Sequence, residues 1–170
     1  ANYQKINLKK NLKVSKMLMK YELSIENIQK LKSYCEKIKI DFLCTPFDMT
    51  SIKNLKKIGL NTLKISSSDN VNTQLLEYAA KNFKDIIIST GMTELRDIKY
   101  AFNVIKKYFL NLNNLTILHC NTDYPTPFSD VNMNCLISLK KIFKTKVGYS
   151  DHTLGIYAPI IAVTLGARCI

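Results

Sequence analysis

The stretch "DIIISTGMTELRDIKYAFNVI", residues 85–105, contains one complete structural unit and decides the fold class. Asp85–Ser89 holds three consecutive isoleucines, a β-type run, and a polar turn around Thr90 and Gly91 follows it. Beyond the turn, Leu95, Ile98, Phe102 and Ile105 recur three and four apart, the spacing of one helix face. The same unit repeats in both directions. Further β-type runs are read at Asp41–Thr45, Thr62–Ser66, Leu115–Cys120 and Lys146–Tyr149, and another begins at Ala167. Helix patterns run through Ile25, Ile28, Leu31, Cys35 and Ile38 behind the N-cap candidate Ser24, through Ile52, Leu55 and Ile58, and through Leu136, Leu139 and Ile142. Gly59 and Gly166 stand where a left-handed helix cap belongs. Strictly alternating β and α units imply a parallel sheet covered by helices, either an open doubly wound sheet or a closed (β/α) barrel. No glycine-rich phosphate loop follows any strand, which counts against the nucleotide-binding versions.

The 170 residues suffice for a substantial core, and one domain is the expectation. Residues 1–23 have a weaker pattern and read as a loop with an irregular helix. No run is long and apolar enough to span a membrane, the first residues lack the apolar core of a signal peptide, and cytoplasm is the expected compartment. The five cysteines, 35, 44, 120, 135 and 169, show no paired C-x-x-C spacing and read as reduced hydrophobes. The net charge of +12 raises the question of nucleic acid. The lysines, however, are scattered through every helix pattern, with no arginine stripe or stacking-aromatic motif, so a solvated basic surface is expected instead.

In either architecture ligands bind beyond the carboxyl ends of the strands. Those ends read Thr45-Pro46-Phe47, Ser66-Ser67-Ser68-Asp69, Ser89-Thr90-Gly91, His119-Cys120-Asn121-Thr122 and Ser150-Asp151-His152. Any one hydroxyl there could be a turn cap, but hydroxyls at every end suit an oxyanion. Lys64 lies inside the run Leu63-Lys64-Ile65 and shares a face with Ser66, opposite Leu63 and Ile65. It is either a lysine snorkelling from a strand end or one paired with a bound anion, because an unpaired ammonium in a barrel is costly. His119 sits within a strand and reads as a packed, hydrogen-bonded core residue. His152, in a polar turn beside Asp151, can serve as a metal ligand or an acid–base group.

Together the stretches "FLCTPFD" (42–48), "LKISSSD" (63–69), "IISTGMTELRDI" (87–98), "LHCNTDYPTPFSDVN" (118–132) and "VGYSDHTLGIYAPIIAVTLGA" (147–167) resemble the sialic acid synthase family. "YQKIN" (3–7) is also similar to a segment of that family. The resemblance covers essentially the whole chain. It implies a (β/α)8 TIM barrel, of which this chain would supply about strands three to eight, the last truncated. The first two strands, a second metal-binding histidine after Ile170 and a C-terminal antifreeze-like domain would lie outside it. The chain is therefore expected to be a fragment of one catalytic domain, inactive alone, from an enzyme that works as a homodimer.

The implied activity is synthesis of a nonulosonate, such as N-acetylneuraminate, legionaminate or pseudaminate, from phosphoenolpyruvate and an N-acetylated hexosamine, with release of phosphate. Carried over by position, the resemblance places Thr45, Lys64, Ser67, Ser89, Thr122 and Ser150 around phosphoenolpyruvate and His152 on a divalent Mn2+ or Mg2+. Asp69 and Tyr124 would face the sugar and the reacting carbons. Asp151 is expected to orient the turn or His152 rather than to bind metal. The chain departs from the family in having Ser66-Ser67-Ser68 where Ala-Ser-Gly or Gly-Ser-Gly is frequent. Some members also have Asn at the position of Thr122 and Glu at that of Asp69. Three rival readings stand beside it: another phosphoenolpyruvate-condensing barrel, a non-catalytic anion-binding remnant, and a nucleic-acid binder.

Overall fold

The computed structural model describes residues 19–109 and 111–170. The "YQKIN" stretch and most of the irregular region expected over 1–23 lie outside the described residues; 19–21 are helical. The chain divides after Phe42 into two compact units. In the first, helix α1 (Ile25–Lys37) begins as expected, with Ser24 accepting from the Asn27 amide at 3.3 Å. No residue of α1 is buried, although its apolar spacing is regular.

The second unit contains the sheet. Helix α2 (Met49–Lys57) precedes strand β1 (Thr62–Ile65), and α3 (Thr73–Asn82) leads to β2 (Asp85–Ser89). Helix α4 (Leu95–Lys106), β3 (Leu115–Cys120), α5 (Asn134–Phe143), β4 (Lys146–Ser150) and α6 (Tyr157–Thr164) complete it. The strands pair in parallel in the order β1-β2-β3-β4. Cα partners run Lys64–Ile87, Ile87–Thr116, Ser89–Leu118 and Leu118–Gly148. Sequence order equals spatial order, so α3, α4 and α5 are each a crossover between neighbouring strands.

The period of two sorts the strand residues sharply. Leu63, Ile65, Ile86, Ile88, Leu115, Ile117, His119, Val147 and Tyr149 lie on one face and all are buried. Helices cover that face: α5 packs on β3 and β4, and α3 packs on α2 and α4. Leu75, Leu76 and Ala79 of α3 and Ala101 and Ile105 of α4 are fully buried. Each large aliphatic group so covered contributes roughly 1.5–3 kcal/mol. The opposite face presents Lys64, Ile87, Ser89, Thr116, Cys120 and Ser150, several of them only half-buried.

Two expected strands are not formed. Asp41–Thr45 is irregular, without a sheet partner among the described residues. Its apolar residues are too few to hold it there, since Leu43 remains 42% exposed. The segment from Ala167 is also not a strand, yet it runs beside β4. Arg168 N–H donates to Val147 O at 2.8 Å and Tyr149 N–H donates to Cys169 O at 2.9 Å. Gly148 makes this approach possible, because a Cβ there would lie 2.5 Å from both Cys169 O and Leu118 Cδ2. Gly59 and Gly166 take positive φ, as the sequence requires. Gly148→Ala is expected to cost about 1–3 kcal/mol by forcing β4 and its neighbour apart; urea denaturation measures this, and an unchanged midpoint would contradict the close packing.

Candidate functional site

Parallel strands end on one rim, so the alternate positions that escape helix packing converge there. Lys64 is half-buried on β1 and makes no ion pair among the described residues. Ser89, 3% exposed on β2, has a buried hydroxyl without a hydrogen-bond partner. Cys120 ends β3 directly opposite Ser150, which ends β4. Burial pushes the Cys120 thiol up, while the Ser150 hydroxyl and the Lys64 charge pull the other way. The geometry therefore gathers one ammonium and several hydroxyl donors on one side of the sheet, a set that neutralises an oxyanion.

His152 stands above this face in a fixed orientation. Its Nδ1–H donates to the Asn121 carbonyl at 2.6 Å, since a carbonyl can only accept. The Nε2 lone pair is thereby left on the other side, 3.4 Å from Ser150 Oγ. A backbone carbonyl on one nitrogen is the usual device for orienting the other toward a metal or a proton. The Tyr124 ring lies against the imidazole, with centroids 4.0 Å apart and planes at 32°. The two loops are also tied directly. Thr126 N–H donates to His152 O at 2.8 Å, and Thr126 Oγ1 donates to Asp123 O at 2.8 Å. The Tyr124–Pro125 bond between them is cis. Asp151 accepts from the Thr153 amide at 2.9 Å and so supports the turn. His119, 8% exposed, donates from Nε2 to Val131 O at 2.6 Å and is a satisfied core residue, as its place in a strand suggested.

The other sequence candidates divide. Thr122 is exposed beside Gly91, where a Cβ would lie 2.9 Å from its methyl group. The glycine lets the ends of β2 and β3 meet closely. Ser67 and Asp69 occupy the 3-10 turn Ser67–Asp69 and are buried. Asp69 Oδ1 accepts from Asn72 Nδ2 at 3.2 Å, which commits that carboxylate to the N-cap of α3. Thr45 is half-buried on the irregular segment, and no hydrogen bond among the described residues joins it to the rim.

Two contributors escaped sequence reasoning. Asn121 acts on His152 through its backbone carbonyl, which no side-chain pattern announces. Asn70 is fully buried and donates from Nδ2 to Ser89 O at 2.8 Å, fixing the end of β2; an asparagine just after a strand-end turn is its only sequence signal.

The sequence pattern of the NeuB family matches residues 1–170. The chain belongs to the NeuB family. It is 45% identical over 151 residues to the N,N'-diacetyllegionaminic acid synthase of Campylobacter jejuni subsp. jejuni serotype O:2, covering 89% of this chain and 45% of that protein. The crystal structure of N-acetylneuraminic acid (sialic acid) synthetase from Leptospira borgpetersenii superposes with a TM-score of 0.82 at 36% identity, over 88% of this chain and 51% of that one. A truncated 3-deoxy-D-arabino-heptulosonate 7-phosphate synthase from Thermotoga maritima matches with a TM-score of 0.70, over 88% of this chain and 60% of that one. At 14% identity it shows the fold alone. The chain thus spans about half the length of the NeuB relatives it matches. Its four parallel strands and helices correspond to part of their α/β structures.

Tyr149 supplies a pH signature beneath the rim. Burial first, and the Asp151 charge second, push its phenol up to about 12. The unfolded chain ionises near pH 10, so the folded state holds its proton longer and stability falls as pH rises from about 10 to 12. The expected loss is roughly 2–3 kcal/mol. Tyr149→Phe should flatten that limb in pH-dependent urea melts; an equally steep decline in the variant would assign it to other groups.

Proposed function

We propose that this chain carries the phosphoenolpyruvate-binding rim of a nonulosonate synthase, assigned to strands three to eight of its (β/α)8 barrel. The observation that carries the proposal is the conjunction on one sheet face of Lys64, in no ion pair among the described residues, and a buried Ser89 hydroxyl without a hydrogen-bond partner among them, below a histidine with its tautomer fixed. Family membership supplies the reaction. The sugar is assigned to the legionaminate type, a reading supported by identities of 45% and 38% to two legionaminic acid synthases against 31% to an N-acetylneuraminate-9-phosphate synthase.

Each residue then has a task. Lys64 pairs with the anionic end of phosphoenolpyruvate, and Ser89 and Ser150 donate to its oxygens, with Thr45, Ser67 and Thr122 as further contacts. The enol C3 attacks the open-chain aldehyde carbon of the N-acetylated hexosamine, water adds at C2, and the C2–O bond to phosphate breaks. Lys64 is placed to meet the charge that builds on the departing phosphate. Tyr124 covers the outer side of His152, and Tyr124 and the Asp69 oxygen that is not bonded to Asn72 are assigned to the sugar side. His152 Nε2 suits one position on a divalent cation, Mn2+ or Mg2+, which when bound supplies Lewis-acid activation of the aldehyde. Among the described residues no group of three His, Cys, Asp or Glu side chains comes together. The remaining ligands are therefore assigned elsewhere in the working enzyme, which in this reading is a cytoplasmic homodimer.

The test, on the full-length protein that contains this chain, is phosphate release from phosphoenolpyruvate with Mn2+ and a panel of 2-acetamido and 2,4-diacetamido hexoses. Turnover is expected with the diacetamido sugars foremost. His152→Ala should reduce it by about 1,000-fold or more, and an active variant would refute the ligand role. Lys64→Gln should raise KM for phosphoenolpyruvate by about 10- to 100-fold, the worth of a hydrogen bond to a charged group. An unchanged KM would remove Lys64 from the site.

A further inference from the structure

At the opposite end of β4 lies a second concentration of charge that the proposed reaction does not use. A cavity of about 390 Å³ is lined by Lys140, Lys144, Lys146 and Arg168, with Asn113 and Gly166 between them. Its volume lies in the range of small-molecule sites. The four cations come from separate pieces of structure: the last turn of α5, its C-cap, the start of β4, and the segment bonded alongside β4. No carboxylate lines the cavity, and none of the four joins an ion pair among the described residues. The C-terminal dipole of α5 accounts for cations at Lys140 and Lys144, but it does not bring in Lys146 from β4 and Arg168 from the segment beside it.

Two backbone features keep the cavity as it is. Gly166, at φ +94°, leaves open the space where a Cβ would come within 3.0 Å of Lys140 Nζ. Lys144 is the C-cap of α5 and sits in the left-handed region, at φ 50° and ψ 39°. Glycine or asparagine is preferred at such a position, and a lysine there is strained. The local fold thus holds a side chain it would rather lack, and that side chain is a cation lining the cavity. Lys146 and Ser150 are four residues apart along β4, roughly 13 Å, so this cavity and the rim are distinct.

We propose that this cavity is a second anion site, which takes a small, multiply charged oxyanion of the phosphate class. The four cations match at least two negative charges, and Asn113 can add an amide donor. The proposal does not rest on the catalytic reading, since it uses none of the rim residues.

Inorganic pyrophosphate is the probe, titrated calorimetrically into the protein carrying Lys64→Gln, so that the rim does not contribute. Saturable binding is expected, weakened about 10-fold or more by either Lys144→Gly or Arg168→Gln added to that background. Lys144→Gly relieves the left-handed strain, so without ligand its melting temperature should equal or exceed that of its parent. Lost affinity in a protein no less stable would then report the missing cation and not a damaged fold. Lys53→Gln and Lys99→Gln, on exposed faces elsewhere, are the controls. Three results would overturn the proposal: no saturable binding once Lys64 is changed, full affinity in both cavity variants, or equal losses in the control lysines, which would mark general surface charge.

Discussion

The constraint on which the rest depends is the two-residue period of four parallel strands pressed against helices on one side. Once Ile65, Ile86, Ile88, Ile117 and Val147 are committed to the helix-facing core, the intervening residues have no choice of side. A one-residue slip of β1 would turn Lys64, and one of β4 would turn Ser150, into the apolar core. Hydrophobic burial therefore sets the position of the polar groups, and parallel pairing brings their ends to one rim.

Within that frame the rim is rigid where chemistry needs a fixed direction. His152 is held by a hydrogen bond from Nδ1, by the Tyr124 ring, and by a backbone bond from the Thr126 amide, all from the loop after β3. The histidine belongs to the loop after β4, so its orientation depends on two strand ends staying in register. Gly148 keeps β4 close to Leu118 of β3, and Gly91 keeps the end of β2 close to that of β3, by omitting a side chain where neighbouring atoms leave no room. Lys64 and Ser89 are the converse case: among the described residues Lys64 joins no ion pair and the buried Ser89 hydroxyl has no hydrogen-bond partner, where an unmatched group costs free energy. A fold that keeps such groups at the carboxyl ends of its strands is preorganised for an anion.

The basic cavity at the other end of β4 follows the same logic with different means. There the charge is collected by a helix end, a strand start and a chain segment that meet only in the tertiary structure. One strand, β4, thus links the two sites, with Lys146 at its start and Ser150 at its end.

The sequence by itself determined the alternation of strands and helices, because apolar periodicity and burial obey the same geometry. Asp85–Ser89 and Leu115–Cys120 are strands with the bounds that their apolar runs indicated. It also determined the face of Lys64 and the core role of His119, both local consequences of strand period. Local pattern failed where the outcome depends on a partner. Asp41–Thr45 and the segment from Ala167 read as strands, but a strand exists only with a neighbour to complete its ladder, and the described sheet holds neither. The apolar stripe of α1 likewise has no buried residue among the described residues. Only the tertiary structure decided the tautomer of His152, the commitment of Asp69 to a helix cap, and the gathering of Lys140, Lys144, Lys146 and Arg168. Each depends on backbone atoms or on residues distant in sequence, and these contacts leave no periodic trace along the chain.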